Sequence, residues 1–419
     1  AGRGIVGVDR WEFHNLMGTS NGGGGAIVGS SAHMEDVSFC YNTGNGLEAR
    51  DTCIITRATA EGNTLDGIIT GESVSLTDVV TAGNGGRGIV LTHRDIRGPA
   101  ILSTVRANGN MGDGIVLGEN ATCTGCAAVD NLGRGIVADK SSPKLFKCSA
   151  IGNTGGDGIV LGNNATCENC TAEGNGGVGI NKVIDQASPK LYGARAVGNA
   201  GDGIVLGENA TCNDCTAQGN SGRGIVADKS SPKLMNCHAV GNTGGDGIVL
   251  GDGGSAENCT SRGNSGNGIM CPYVASWNGA IAEGNTLDGF VVGIGSTLTD
   301  CQALNNGGNG LRVVDNNSPP RTSTTLFRGC VARGNSNMGF KLNIVLVAQD
   351  SVGAINGPAA APAARQSVAQ RNGSDGFAVG SGSMLEGRMA GDNRGNRIGL
   401  AIPYDWGLSL FACIAEGNA

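Results

Sequence analysis

The sequence is poor in aromatic residues (4%) and in charge (16%), with a formal net charge of −7 over 419 residues. Few rings leave no material for a base-stacking platform or a cleft lined by many Trp and Tyr. Without clustered Lys and Arg there is no electrostatic grip for nucleic acid. No run of 18 apolar residues occurs, so no membrane-spanning helix is expected. Long helical patterns are missing too. The apolar residues come as brief runs such as Gly114-Ile115-Val116-Leu117, separated by many of the 76 glycines. Each glycine inside a helix costs about 1 kcal/mol, and no apolar set at helical spacing survives them.

What is present is a repeat. The stretch 152–175, GNTGGDGIVLGNNATCENCTAEGN, recurs with variation from end to end. Anchored on the glycine of the Gly-Ile step (Gly114, Gly135, Gly158, Gly179 and so on), 18 copies can be placed, mostly 21–24 residues apart. Such a period is the mark of a solenoid, in which no unit buries its apolar side alone and neighbours stack to do so. Short apolar runs between Gly/Asn turns predict three strands per coil and parallel ladders between coils. The expected fold is all-β: a parallel β-helix of about 18 coils, one solenoid domain over 1–419, with enlarged loops within 313–328 and 343–370. The second loop contains the Ala/Pro run 357–364.

The pattern Gly-Asn-x-x-x-Asp/Arg-Gly-Ile-Val, followed by a strand ending in Cys-x-Ala-x-Gly-Asn, resembles the right-handed parallel β-helix proteins of the pectate-lyase-like superfamily. That resemblance implies the fold; its members include lyases, hydrolases, epimerases, adhesins and phage tailspikes. One segment, Gly24-Gly25-Ala26-Ile27 with Phe39-Cys40-Tyr41-Asn42, is also similar to the paired motifs of the chlamydial polymorphic membrane proteins, which are β-helical adhesins.

Stacking turns each repeat position into a column. The residue before the anchor glycine runs Asp66, Arg87, Asp113, Arg134, Asp157, Val178, Asp202, Arg223, Asp246, an alternation expected to set register because stacked like charges repel. The turn asparagines Asn131, Asn153, Asn175, Asn199, Asn220, Asn242 and Asn264 are expected to form an amide ladder and to suit a left-handed turn. Cys126, Cys148, Cys170, Cys215, Cys237, Cys259, Cys301 and Cys330 share one offset, with Ala194 and Ala280 filling gaps, which reads as a small inward apolar slot. Cys123-x-x-Cys126, Cys167-x-x-Cys170 and Cys212-x-x-Cys215 have metal-ligand spacing. Because Leu145 and Leu234 take the first Cys position in alternate coils, core thiols are favoured; disulfides and metal binding stay as alternatives. Fifteen cysteines cannot all pair within one chain. Asn120, Asn164 and Asn209 open Asn-Ala-Thr sequons at one offset and are candidate glycosylation sites.

For chemistry the sequence offers little. His14, in an aromatic strand with Trp11 and Phe13, reads as core or end packing and gives no catalytic signal. Paired carboxylates are not visible, and Val116, Val137, Val160, Val205, Val226 and Val249 are expected to face outward as an apolar stripe suited to adhesion or lateral packing. The tail and head join as AEGNAGRGIV, matching AVGNAGDGIV at 196–205, which suggests an excerpt of a longer solenoid or a subunit that stacks head to tail. The expectation is therefore a structural protein and not an enzyme: an extracellular or cell-surface fibre, filament or adhesin stalk, partnered by itself and by surface glycans or envelope proteins, with no cofactor. The competing expectation is a polysaccharide-binding or polysaccharide-cleaving β-helix, with its site near Asp315, Arg321, Arg328 or Asp392, or a phage tailspike.

Overall fold

In the computed structural model, residues 2–92, 98–314 and 325–341 are described in full, together with the backbone of Leu342 and of the short strands between 363 and 416. Every described element is a strand, and every strand pairing is parallel, giving an all-β solenoid of about 15 turns in the fully described part. Three further first-sheet strands, Phe340–Leu342, Phe377–Val379 and Ile398–Leu400, continue the ladder. No helix among the described residues is long and apolar enough to cross a membrane. The chain divides into two compact units, Ala1–Gly207 and Glu208–Ala419.

One coil of the first unit shows how the sequence makes the turn. Ile136–Ala138 forms the first strand, and Ser142 (φ 54°) turns the chain into Lys144–Phe146. Lys147 (φ 51°) makes the next corner, and Ser149–Ile151 leads to Gly152 (φ 66°) and Asn153. The expected three strands are there, but the second and third belong to one sheet folded at a left-handed corner. In the early coils they run together as His33–Cys40 and Ile54–Glu61, with Asp36 and Arg57 at the corner (φ 56° and 50°). Inward positions form the core: Ile136, Ala138, Leu145, Cys148 and Ala150 are all at most 1% exposed. In the second unit the same positions admit rings, and Trp277 packs edge-on against Phe290 at 6.5 Å.

Register is strict because each column is chemically matched. Ile115 pairs with Ile136, then Ile159, then Ile180, and Cys123 pairs with Leu145, then Cys167, then Leu191. A slip by one residue would drive the core set to the surface and the polar set inward.

Candidate functional site

The asparagine column is the most regular feature of either unit. In the first it runs Asn21, Asn42, Asn63, Asn84, Asn110, Asn131, Asn153, Asn175, Asn199; in the second, Asn220, Asn242, Asn264, Asn285, Asn306, Asn335. Asn131 donates its backbone N–H (3.1 Å) and its side-chain amide (2.9 Å) to Asn153 Oδ1, and its second amide proton to the Ala107 carbonyl (2.9 Å). The same three bonds recur at Asn42, Asn63, Asn153 and Asn175, which offsets the cost of burying these amides. The left-handed residue of the Gly-Asn turn is the one before the asparagine, usually glycine (Gly152, Gly174, Gly198). The anchor glycine serves the ladder sterically: a Cβ on Gly135 would stand 2.5 Å from the Gly158 carbonyl oxygen and 2.8 Å from Asn153 Nδ2.

The charge column resolves into separate dyads. Arg87 pairs with Asp66, and Arg134 with Asp113, each at 2.8 Å. The constant contact is different: the carboxylate accepts the backbone N–H of the next coil, from Arg87 (2.6 Å), Arg134 and Val178 (2.8 Å each) and, in the second unit, Asn267 (2.7 Å). The aspartate thus caps backbone whether or not an arginine follows, as at Asp157 and Asp246. Asp202 and Arg223 sit half-buried in the same place before their glycines.

All eight cysteines of the predicted column are buried, as are Ala194 and Ala280. Cys123 and Cys126 are joined by a disulfide, and the CxxC partners Cys167, Cys170, Cys212 and Cys215 are in the thiol state. Burial pushes the Cys212 thiol up; at Cys148 the hydrogen bond with Cys170 and then burial do the same. These are not activated nucleophiles. Two groups do converge: the sulfurs of Cys123, Cys126 and Cys148, and those of Cys212, Cys215 and Cys237, lie within 4.8 Å of one another.

The fold gives His14 an acidic partner. Coiling brings Glu35, 21 residues on, directly beside it, with Nδ1 3.1 Å from Glu35 Oε2. Arg57 from the next coil clamps the group: its guanidinium bonds Asp36 twice (2.7 and 2.8 Å) and also holds Glu35. The His33 ring lies 6.0 Å from that of His14. His14 and Glu35 stay open to solvent, their side chains 49% and 34% exposed. The hydrogen bond and charge of Arg57 hold the Glu35 carboxyl below its usual range, and its hydrogen bond does so for Asp36. An ionised Glu35 only accepts, so Nδ1 carries the proton and Nε2 is left as a base facing solvent. No linear motif could reveal this set, because its members come from three coils; the 21-residue period was the one signal that could.

The remaining expectations divide. Asn120, Asn164 and Asn209 are exposed turn residues with φ of 52–53°. The valine stripe is not a surface: Val137, Val160, Val226 and Val249 are buried where the first strand runs three residues, and only Val116 and Val205, where it stops after two, are half-buried. Arg328 is exposed at the end of Leu326–Arg328. Asp315, Arg321, Asp392 and residues 357–362 of the Ala/Pro run lie outside the described residues, and the end of the run, Ala363 and Ala364, enters the strand Ala363–Arg365.

Residues 115–265 match the family described as "Right handed beta helix region". No curated protein sequence matches the chain. Among solved structures it is similar to the periplasmic alginate epimerase AlgG, at 11% identity, covering 93% of this chain and 76% of that one with a TM-score of 0.35. It is similar also to the Azotobacter vinelandii mannuronan C-5 epimerase AlgE4 A-module (10%, covering 80% and 91%, TM-score 0.38) and to the Dettilon tailspike protein gp208 (13%, covering 74% and 60%, TM-score 0.31). The expectation of a non-enzyme is withdrawn: one local ground for it, a histidine without an acidic partner, is removed by the contact with Glu35.

Proposed function

We propose that this right-handed parallel β-helix acts on an extended polysaccharide laid along the outer face of its second sheet, with His14 as the acid–base group. The observation that carries the reading is the solvent-open contact of His14 Nδ1 with Glu35 at 3.1 Å. Glu35 fixes the tautomer and favours the protonated ring that forms when Nε2 takes a proton from the sugar. Arg57 keeps Glu35 ionised and in place. Trp11, 47% exposed at the head of the same strand, offers a ring on which a sugar face can rest. The coils stacked next to this strand in the first unit serve as a scaffold for a long ligand. An extracellular or envelope location, where such polymers occur, is part of the same proposal.

The test is a panel of neutral and acidic polysaccharides, assayed for binding and for product with the parent chain, His14→Ala and Glu35→Gln. The reading expects product from at least one polymer, a loss of about 10²–10⁴-fold in rate for His14→Ala, and a smaller loss for Glu35→Gln, with binding retained. A panel in which nothing is bound or altered, or full activity in His14→Ala, sinks it.

A further inference from the structure

Each unit holds a buried group of three sulfurs that the acid–base reading does not use. In the second unit Cys212 and Cys215 come from one coil and Cys237 from the next; in the first, Cys123 and Cys126 are joined by Cys148 in the same way. The residue in register above the first cysteine is leucine in both cases, Leu145 and Leu234. Three sulfurs therefore converge with no fourth ligand from that column. The Cys167–Cys170 pair shows what is missing elsewhere, since the coil after it carries Leu191 and Ala194.

We propose that each three-sulfur group is a binding site for a soft monovalent cation, Cu(I). Zinc in a closed structural site asks for four ligands in a tetrahedron, whereas thiolate sulfurs in low coordination number suit Cu(I). The surroundings agree: Cys212, Cys215 and Cys237 are all fully buried, so no water completes a larger shell. Burial also limits the charge the site can carry. The Cys237 thiol donates to the Cys212 carbonyl at 3.2 Å, and Cys148 to the Cys123 carbonyl at the same distance. The third sulfur can thus keep its proton and bind as a neutral donor. Two protons leave the CxxC pair for solvent as Cu(I) enters, and the centre carries one negative charge. In the first unit a thiol reductant must first supply two electrons and two protons to open the Cys123–Cys126 bond; the reductant becomes a disulfide. Because the sulfurs come from two coils, the ion enters as one coil closes on the next and ties them together.

The experiment uses the full chain, reduced and refolded without oxygen in Cu(I) buffered by a chromophoric chelator. Two equivalents per chain are expected, with three sulfur neighbours and no nitrogen or oxygen in the X-ray absorption spectrum and two protons released per ion. Cys148→Ala and Cys237→Ala should each retain one equivalent and the double variant none, while Cys301→Ala, outside both groups, retains two. Alanine already fills this column at Ala194 and Ala280, and circular dichroism checks the fold of each variant. Cys215→Ala gives a second route to emptying the second site. The proposal is overturned if the parent chain retains no copper, if the double variant retains as much as the parent, or if the absorption spectrum shows nitrogen or oxygen ligands.

Discussion

Asn131 and Asn153, one coil apart, share a single oxygen: Asn153 Oδ1 accepts both the backbone N–H of Asn131 at 3.1 Å and its side-chain amide at 2.9 Å. The same oxygen thus satisfies a turn and fixes the height of one coil on another.

Removing that oxygen should be costly in either direction. Asn153→Ala leaves two buried donors of Asn131 without their acceptor and strips the side-chain bond from the Ala128 carbonyl, while Asn175 Oδ1 keeps only the backbone N–H of residue 153. Each orphaned group costs about 1–3 kcal/mol, so a loss of more than about 2 kcal/mol is expected, read from the urea midpoint. A surface substitution such as Lys144→Ala should stay within about 0.5 kcal/mol.

Two glycines separate steric need from conformational need. A Cβ on Gly135 would meet the Gly158 carbonyl oxygen, Ala150 and Asn153. A Cβ on Gly198 would meet nothing within 4 Å, but its φ is +61°. Gly198→Ala should therefore cost about 1–2 kcal/mol, the left-handed penalty. Gly135→Ala should cost clearly more in the same denaturation measurement, because backbone would have to move.

The aspartate–arginine dyads should be asymmetric to mutation. Arg134 is 41% exposed, and removing it gives up a screened ion pair worth at most about 1 kcal/mol. Asp113→Ala also strips the acceptor from the Arg134 backbone N–H and should destabilise more. Raising salt should shrink the Arg134→Ala effect and leave most of the Asp113→Ala effect. Equal effects for the two variants would mean that charge alone sets the register.

The clamp on Glu35 has a defined pH signature. Its folded pKa lies below the ordinary value of 4.5 because of Arg57, so the clamp's contribution is fully present above 4.5 and is lost as pH falls through the lower folded value. Arg57→Ala should return the Glu35 titration to the ordinary range, seen by carboxyl NMR. The acidic limb of any His14-dependent activity should shift with it.

Much of this was legible in the sequence because a solenoid writes its contacts at a fixed offset. Cys126, Cys148 and Cys170, or Asn131, Asn153 and Asn175, could be placed in columns by counting, and the burial of the cysteines followed from Ala194 and Ala280 taking the same slot. The outward valines misled because period-two reasoning tells which side a residue faces and not what covers that side. His14 is a different case: its partner Glu35, 21 residues on, is a neighbour only through the coil.

The sequence by itself determined the repeat, the parallel ladders and the identity of each column, since glycine-bounded strands of three residues can bury their apolar side only by stacking. Tertiary structure alone decided the contacts between unlike columns. Which sulfur of the next coil meets a CxxC pair, and which acid meets His14, depends on where left-handed corners such as Arg57 and Lys147 turn the chain, and those angles are set by packing against the coils on either side.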